Sequence, residues 1–136
     1  EATEAVDVMH YIWNDRWPDN RSPQVQHLTL DGRTAFDNIK VGPGIAFEAS
    51  VGLNDPEGDA LTFAWSVKPE SDSVEHGGDF EAPIEDVGTL IEHPNASSTV
   101  IHAPKAPGAY RVFVYAYDGQ GNAAHGNIPF LVEDTK

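Results

Sequence analysis

The first pattern along the chain has a helical period. Between Thr3 and Asn14 the apolar residues Ala5, Val6, Met9, Ile12 and Trp13 fall at spacings of three and four, behind Thr3 and Glu4 as start signals, and predict a short amphipathic helix. Asn14 to Pro23 then holds two prolines and four Asx residues in ten positions, which no helix continues through. This stretch reads as a linker.

After Pro23 the period changes to two. Val25, His27 and Thr29 oppose Gln26, Leu28 and Leu30, and Asp31-Gly32 follows as a tight-turn signal, so the spacing predicts a hairpin whose return strand is Thr34 to Ile39. Gly42-Pro43-Gly44 breaks the chain and Ile45 to Val51 forms another strand. The acidic turn Asn54-Asp55-Pro56-Glu57-Gly58-Asp59 leads to Leu61–Val67, whose Leu61, Phe63, Trp65 and Val67 share one core-facing side. Lys68 to Ser97 lacks clear periodicity and carries eight acidic residues against one lysine, so it reads as a long acidic insertion. Beyond it come strands at Thr99 to Ala103, at Tyr110 to Tyr117 and at about Ala124 to Val132, with Pro129 arguing for an edge position in the last. About seven short strands with turn signals every eight to twelve residues predict an all-β, antiparallel sandwich. The expected division is a helix and linker over residues 1–23, the tail of a preceding catalytic domain, and a sandwich over 24–136.

Composition narrows the partners. The 136 residues carry 8 Lys and Arg against 22 Asp and Glu, a formal charge of −14, and no stretch clusters the cations. Nucleic acid and anionic membrane are therefore excluded as partners, since both are held by basic side chains. The 40% apolar content suffices for a core and places the acidity on a solvated surface. Without cysteine there is no disulfide framework, thiolate metal site or cysteine nucleophile. No signal segment and no apolar run of about 18 residues occurs, and the chain reads as a piece of a longer polypeptide.

Two resemblances follow from particular residues. Asn54-Asp55-Pro56-Glu57-Gly58-Asp59-Ala60-Leu61-Thr62-Phe63-Ala64-Trp65, followed by Ala106-Pro107-Gly108-Ala109-Tyr110 and a strand ending in Asp118-Gly119-Gln120-Gly121-Asn122, resembles the PKD family of immunoglobulin-like domains over roughly residues 24 to 133. The run from Trp17-Pro18-Asp19-Asn20-Arg21 through Leu28-Thr29-Leu30-Asp31-Gly32 and Pro69-Glu70-Ser71 is similar to C-terminal modules of bacterial polysaccharide-degrading glycoside hydrolases. The first resemblance implies an immunoglobulin-like sandwich with Trp65 at its centre. The second implies an accessory module of a secreted, cell-surface or periplasmic bacterial enzyme, lying beside the catalytic domain of the same polypeptide.

Three sets of residues carry candidate chemistry. Asn54, Asp55, Glu57 and Asp59 lie within six residues, and in a seven-strand sandwich their turn shares an end with Asp118. Five hard oxygen donors suit a structural calcium ion, which takes six to eight oxygens, and the PKD resemblance implies the same region as a metal site. The competing reading is an Asx-capped turn without metal. On the strand after Pro107, inward Tyr110, Val112, Val114 and Ala116 leave Arg111, Phe113, Tyr115 and Tyr117 outward, three rings about 7 Å apart on which sugars can stack unless the helix or the insertion covers them. Trp13 and Trp17 are the remaining large rings outside the core; Trp17 either stacks on a pyranose or pins the linker.

Catalysis has little to stand on. The acidic insertion offers carboxylates, but pairs at glycosidase spacing arise by chance in any acidic chain. The six histidines show no metal-ligand spacing, and no G-x-S-x-G is present. The expected function is a non-catalytic module binding polysaccharide, more neutral than charged, such as an algal galactan. The alternative is a structural spacer or docking domain that packs on the catalytic domain and binds no sugar.

Overall fold

Alternation of inward and outward residues along most of its strands shapes this molecule. The computed structural model describes residues 1–70 and 87–134. In chain order the elements are α1 (Glu4–Asn14), β1 (Gln24–Leu30), β2 (Lys40–Val41), β3 (Ala46–Asn54), β4 (Thr62–Pro69), β5 (Ser98–His102), β6 (Gly108–Tyr117) and β7 (Ala123–Val132). They form two layers, a three-stranded sheet in the order β1-β3-β5 and a four-stranded sheet in the order β2-β7-β6-β4. Every pairing is antiparallel except that of β2 with β7. This is the all-β sandwich with one short N-terminal helix that the periodicity predicts.

The core lies between the layers. Ala49, Val51 and Phe47 from β3 and Ile101 from β5 meet Trp65 and Val67 from β4, Val112 and Val114 from β6, and Ile128 and Phe130 from β7. Phe130 contacts both Phe47 and Tyr110, with ring centroids 5.3 and 5.8 Å apart. Two buried aromatic polar groups find partners, as burial requires. Trp65 Nε1 donates to Ala96 O at 2.7 Å, and the Tyr110 hydroxyl donates to Ala106 O at 2.9 Å, bracing the turn that enters β6.

The predicted hairpin is a correction. Asp31 and Gly32 do make a tight turn, with φ of 47° and 74°, and close a single bridge between Leu30 and Arg33. No return strand follows over 34–39. Asp37 instead folds back on Thr34, accepting its backbone N–H at 2.6 Å and its hydroxyl at 3.1 Å. The ladder of β1 is taken by β3, with Asp31 Oδ1 accepting the Glu48 N–H at 2.8 Å. The chain then crosses layers so that Ile39 and Val41 are buried, and Val41 ends in parallel pairing with β7. Burial of those two side chains decides the matter over the local turn signal.

Pro129 is an edge residue in a restricted sense. β2 covers β7 only at Leu131 and Val132, so Pro129 lies just past the end of that short ladder, where no partner strand needs its missing N–H. Part of the predicted insertion also proves to be sandwich. Residues 71–86 fall outside the described residues, and with them His76, Ile84 and most of the acidic residues. From 87 onward the segment is tied down: Val87 N–H donates to Val67 O, Ile91 bridges Ile101, and Asn95 Oδ1 accepts the Phe63 N–H at 2.8 Å.

The helix has an unexpected orientation. Asp7 is 2% exposed and its carboxylate accepts the Ser22 N–H at 2.6 Å, while Ala2 is held between Gly121 and Ala123 by backbone hydrogen bonds. The polar side of α1 thus faces the body. The apolar stripe Val6, Met9, Ile12 and Trp13 faces solvent, with Trp13 73% exposed.

Candidate functional site

Strand register assembles the outer face of the four-stranded sheet. Thr62, Ala64, Ser66 and Lys68 of β4 lie opposite Tyr117, Tyr115, Phe113 and Arg111 of β6, which in turn oppose Ala123, His125, Asn127 and Pro129 of β7. Because Ala64 and Ser66 are small, the β6 rings stand above their neighbours. Tyr115 and Tyr117 stack with centroids 6.4 Å apart and planes 12° from parallel, and His125 flanks Tyr115 at 5.9 Å. Tyr115 is 40% exposed; Phe113 and Tyr117 are half-buried, with Lys68 Nζ 5.6 Å above the Phe113 ring. Arg111 is fixed in place. Its Nε and Nη2 reach Glu70 Oε1 at 2.8 and 2.7 Å, and Nη1 donates to Asn127 Oδ1. The helix does not cover this row, since its Met9, Ile12 and Trp13 are exposed, and Val87 and Leu90 lie instead against the groove floored by His102 and Tyr110.

Trp17 lies in a separate assembly. Its ring stacks on Tyr11 at 4.7 Å and carries the Arg21 guanidinium at 4.0 Å on the ring. These contacts join α1 to the linker. Trp13 projects from the helix, so the two tryptophans and the β6 row belong to different parts of the molecule.

The two turns at one end of the sandwich are joined through Asn20, for which the sequence alone assigns no role at this end. Its Nδ2 donates to Asp59 Oδ2 at 2.6 Å, and its Oδ1 accepts from Asn122 Nδ2 at 2.7 Å. Asp55, Glu57 and Asp59 bring one carboxylate oxygen each to within 4.8 Å of one another. Asp55 Oδ1 accepts the N–H groups of Glu57 and Asp59, both at 3.0 Å, which makes an Asx-type turn. Its other oxygen, Oδ2, is buried with no hydrogen-bond partner among the described residues. Asn54 ends β3, exposed and paired with Gln24.

Asp118 serves its own turn. One oxygen accepts the N–H groups of Gln120 and Asn122 at 2.7 and 3.1 Å, and the other accepts Asn122 Nδ2 at 2.8 Å. Burial pushes its carboxyl up, but these hydrogen bonds outweigh burial and hold it below the ordinary carboxylate value. A carboxyl lowered in the folded state contributes stability that is complete above the unfolded pKa, about 3.9, and disappears as pH falls through the folded value. The melting temperature of Asp118→Asn is therefore expected below wild type at pH 7, with the gap narrowing below about pH 4. Calorimetric melts across pH check this; a constant gap down to the most acidic folded state contradicts it.

No family model matches the sequence, and no curated protein matches it. Among solved structures the chain is similar to a nucleoside hydrolase-related hypothetical protein from Saccharophagus degradans associated with carbohydrate metabolism, at TM-score 0.52 and 16% identity over 85% of this chain. The chain spans only 26% of that protein's length. It also aligns with PcoC, a methionine-rich copper resistance protein from Escherichia coli, at TM-score 0.41 and 16% identity over 82% of this chain and 99% of the other. The soluble domain of PmoD from Methylocystis aligns at 0.42 and 9% identity, over 87% and 95%. The first likeness concerns the fold alone, and the other two scores are too low to bear on function.

Proposed function

We propose that the chain is a non-catalytic carbohydrate-binding module of a secreted bacterial polysaccharide-degrading enzyme, with glycan lying on the outer face of the four-stranded sheet. One observation carries the reading: the near-parallel Tyr115 and Tyr117 rings stand on the outer sheet face, Tyr115 exposed, beside small residues, with Ser66, Thr62, His125 and Asn127 around them as hydrogen-bonding groups. The apolar faces of sugars stack on such rings while polar neighbours fix their hydroxyls. A neutral glycan, such as an algal galactan, fits better than an acidic one, because the chain carries a net charge of −14, Arg111 is already paired with Glu70, and Lys68, the other cation on this face, sits over the Phe113 ring. The buried Trp65 and the Tyr110-to-Ala106 hydrogen bond support an immunoglobulin-like, PKD-type identity for the sandwich.

A docking role for α1 accompanies this reading. A helix that turns its polar side inward and Val6, Met9, Ile12 and Trp13 outward presents an apolar surface suited to the catalytic domain of the same polypeptide. Sheet face and helix stripe are separate, so the module can hold both at once.

The test of binding is retardation of the 136-residue chain in native gels cast with agarose, hydroxyethylcellulose, xylan, mixed-linkage β-glucan and alginate. Retardation by a neutral glycan and not by alginate is the expected result. No retardation in any gel leaves the docking role alone.

Calcium at the Asp55, Glu57, Asp59 turn is the second part of the proposal. The buried, unpartnered Asp55 Oδ2 fits it, since an isolated carboxylate oxygen is costly to bury and a hard cation would satisfy it. Calcium at ten times its Kd is expected to stabilise the chain by about 1.4 kcal/mol, read as a rise in melting temperature that chelator reverses. Asp55→Asn keeps the Oδ1 acceptor of the turn and should lose the calcium response. Equal melting curves for wild type with calcium and with chelator assign the cluster to turn capping.

A further inference from the structure

Phe36 is 97% exposed, in a loop that is anything but slack. Thr34 and Asp37 exchange three hydrogen bonds across it, counting the backbone bond from Asp37 N–H to Thr34 O at 3.0 Å, and the Phe36 N–H reaches Thr34 Oγ1 at 3.4 Å. A braced loop therefore holds a phenyl ring in water. Beneath it is a cleft of about 380 Å³ lined by Ala35, Ile39, Ala109, Pro129 and Leu131 together with Phe36 itself, and Glu70 forms part of its wall.

The position of this cleft gives it meaning. Ala109, Pro129 and Leu131 face outward on the four-stranded sheet, so the cleft continues the surface that carries the β6 rings. Glu70 belongs to both, lining the cleft and holding Arg111. Along β6 the outward positions run Ala109, Arg111, Phe113, Tyr115, Tyr117, a span of about 26 Å at the rise of a strand. One end carries stacked tyrosines and the other opens into the cleft beneath Phe36.

We infer that this whole length is one binding track, with Phe36 a distal stacking residue, and that the ligand is an extended neutral polysaccharide bound along the strand through several sugar units. The inference rests on the carbohydrate-binding reading above and adds the ligand's form to it. The outward Ala109, Pro129 and Leu131 in its lining are apolar, which suits the apolar faces of a sugar chain passing across them. Among the described residues no Lys or Arg lines the cleft, and the cations opposite its Pro129 and Leu131, Arg111 and Lys40, are paired with Glu70 and Glu133, so its lining offers no positive charge to select an acidic sugar.

The experiment compares ligands of different length on the intact 136-residue chain. The probes are agarose and hydroxyethylcellulose in native gels, with the neutral disaccharide and hexasaccharide of each polymer in titration calorimetry. Phe36→Ala, at a side chain almost wholly in solvent, is expected to fold as wild type. It should weaken binding of polymer and hexasaccharide about tenfold and leave the disaccharide affinity unchanged, with Phe36→Trp restoring the loss. Equal hexasaccharide and polymer affinities for Phe36→Ala and wild type, while Tyr115→Ala is impaired, would overturn the track and leave the tyrosine site standing. Wild type that binds neither hexasaccharide and is retarded by none of the five gels above overturns the track and the carbohydrate reading together.

Discussion

Replacing Trp65 by alanine should cost about 3–5 kcal/mol of stability, the range for truncating a large buried ring. The ring is 6% exposed in the layer between the sheets, and its indole N–H donates to Ala96 O at 2.7 Å. That hydrogen bond reaches from β4 to the segment leading into β5, which Asn95 also ties to β4 through the Phe63 N–H. Alanine therefore opens a cavity and releases the crossover between the two sheets. Small domains have about 5–15 kcal/mol in total, so the variant should lose a large part of its folded-state margin. Trp65→Phe separates the two contributions: it keeps most of the volume and should cost nearer the 0.5–1.5 kcal/mol of a lost hydrogen bond, plus the repacking of a smaller ring. Urea denaturation followed by far-ultraviolet circular dichroism measures both. A cost under about 1 kcal/mol for the alanine variant would show that Trp65 does not hold the layers together.

Elements whose cause is local were legible in the sequence. The α1 spacing, the alternation of β6 and the core side of β4 each depend on residues a few positions apart, and each is found where the periodicity places it. The failures are long-range. Asp31 and Gly32 have the positive φ that their sequence suggests, yet β1 pairs with β3 because Ile39 and Val41 are needed in the core of the other layer. Phe36 is illegible for the same reason: alternation alone treats it as an ordinary strand aromatic, whereas it stands 97% exposed in a loop. Likewise nothing in Pro94-Asn95-Ala96 announces that its side-chain and backbone oxygens serve β4, so periodicity alone cannot tell the end of the sandwich connection from insertion.

The same distinction applies to the candidate site. Register along one strand predicts that Arg111, Phe113, Tyr115 and Tyr117 share a face, and they do. Which acid meets Arg111 is a contact across 41 residues, and Asn20 reaches Asn122 across 102. Helical periodicity gives α1 an apolar stripe but not its direction. Here the buried hydrogen bond from Ser22 N–H to Asp7 fixes the rotation of the helix and sends the stripe outward.

The double variant Tyr115→Ala, Tyr117→Ala should lose glycan retardation altogether. Ring stacking on flat ligands is worth about 1–3 kcal/mol per ring where it has been measured on nucleic-acid bases, so two rings amount to about 2–6 kcal/mol. Even the lower end is a factor of about 30 in Kd, enough to erase retardation by a weakly held glycan. Folding should survive, because the core is made by the alternate residues Tyr110, Val112, Val114 and Ala116, and outward strand positions change stability by only about 1 kcal/mol each. Trp17→Ala is the contrasting variant. It removes the stack on Tyr11 and the Arg21 contact, and should loosen the linker while leaving retardation in place. If instead the double variant is retarded like wild type and Trp17→Ala is not, the sugar site lies at the helix and linker, and the tyrosine face is a surface for the neighbouring domain.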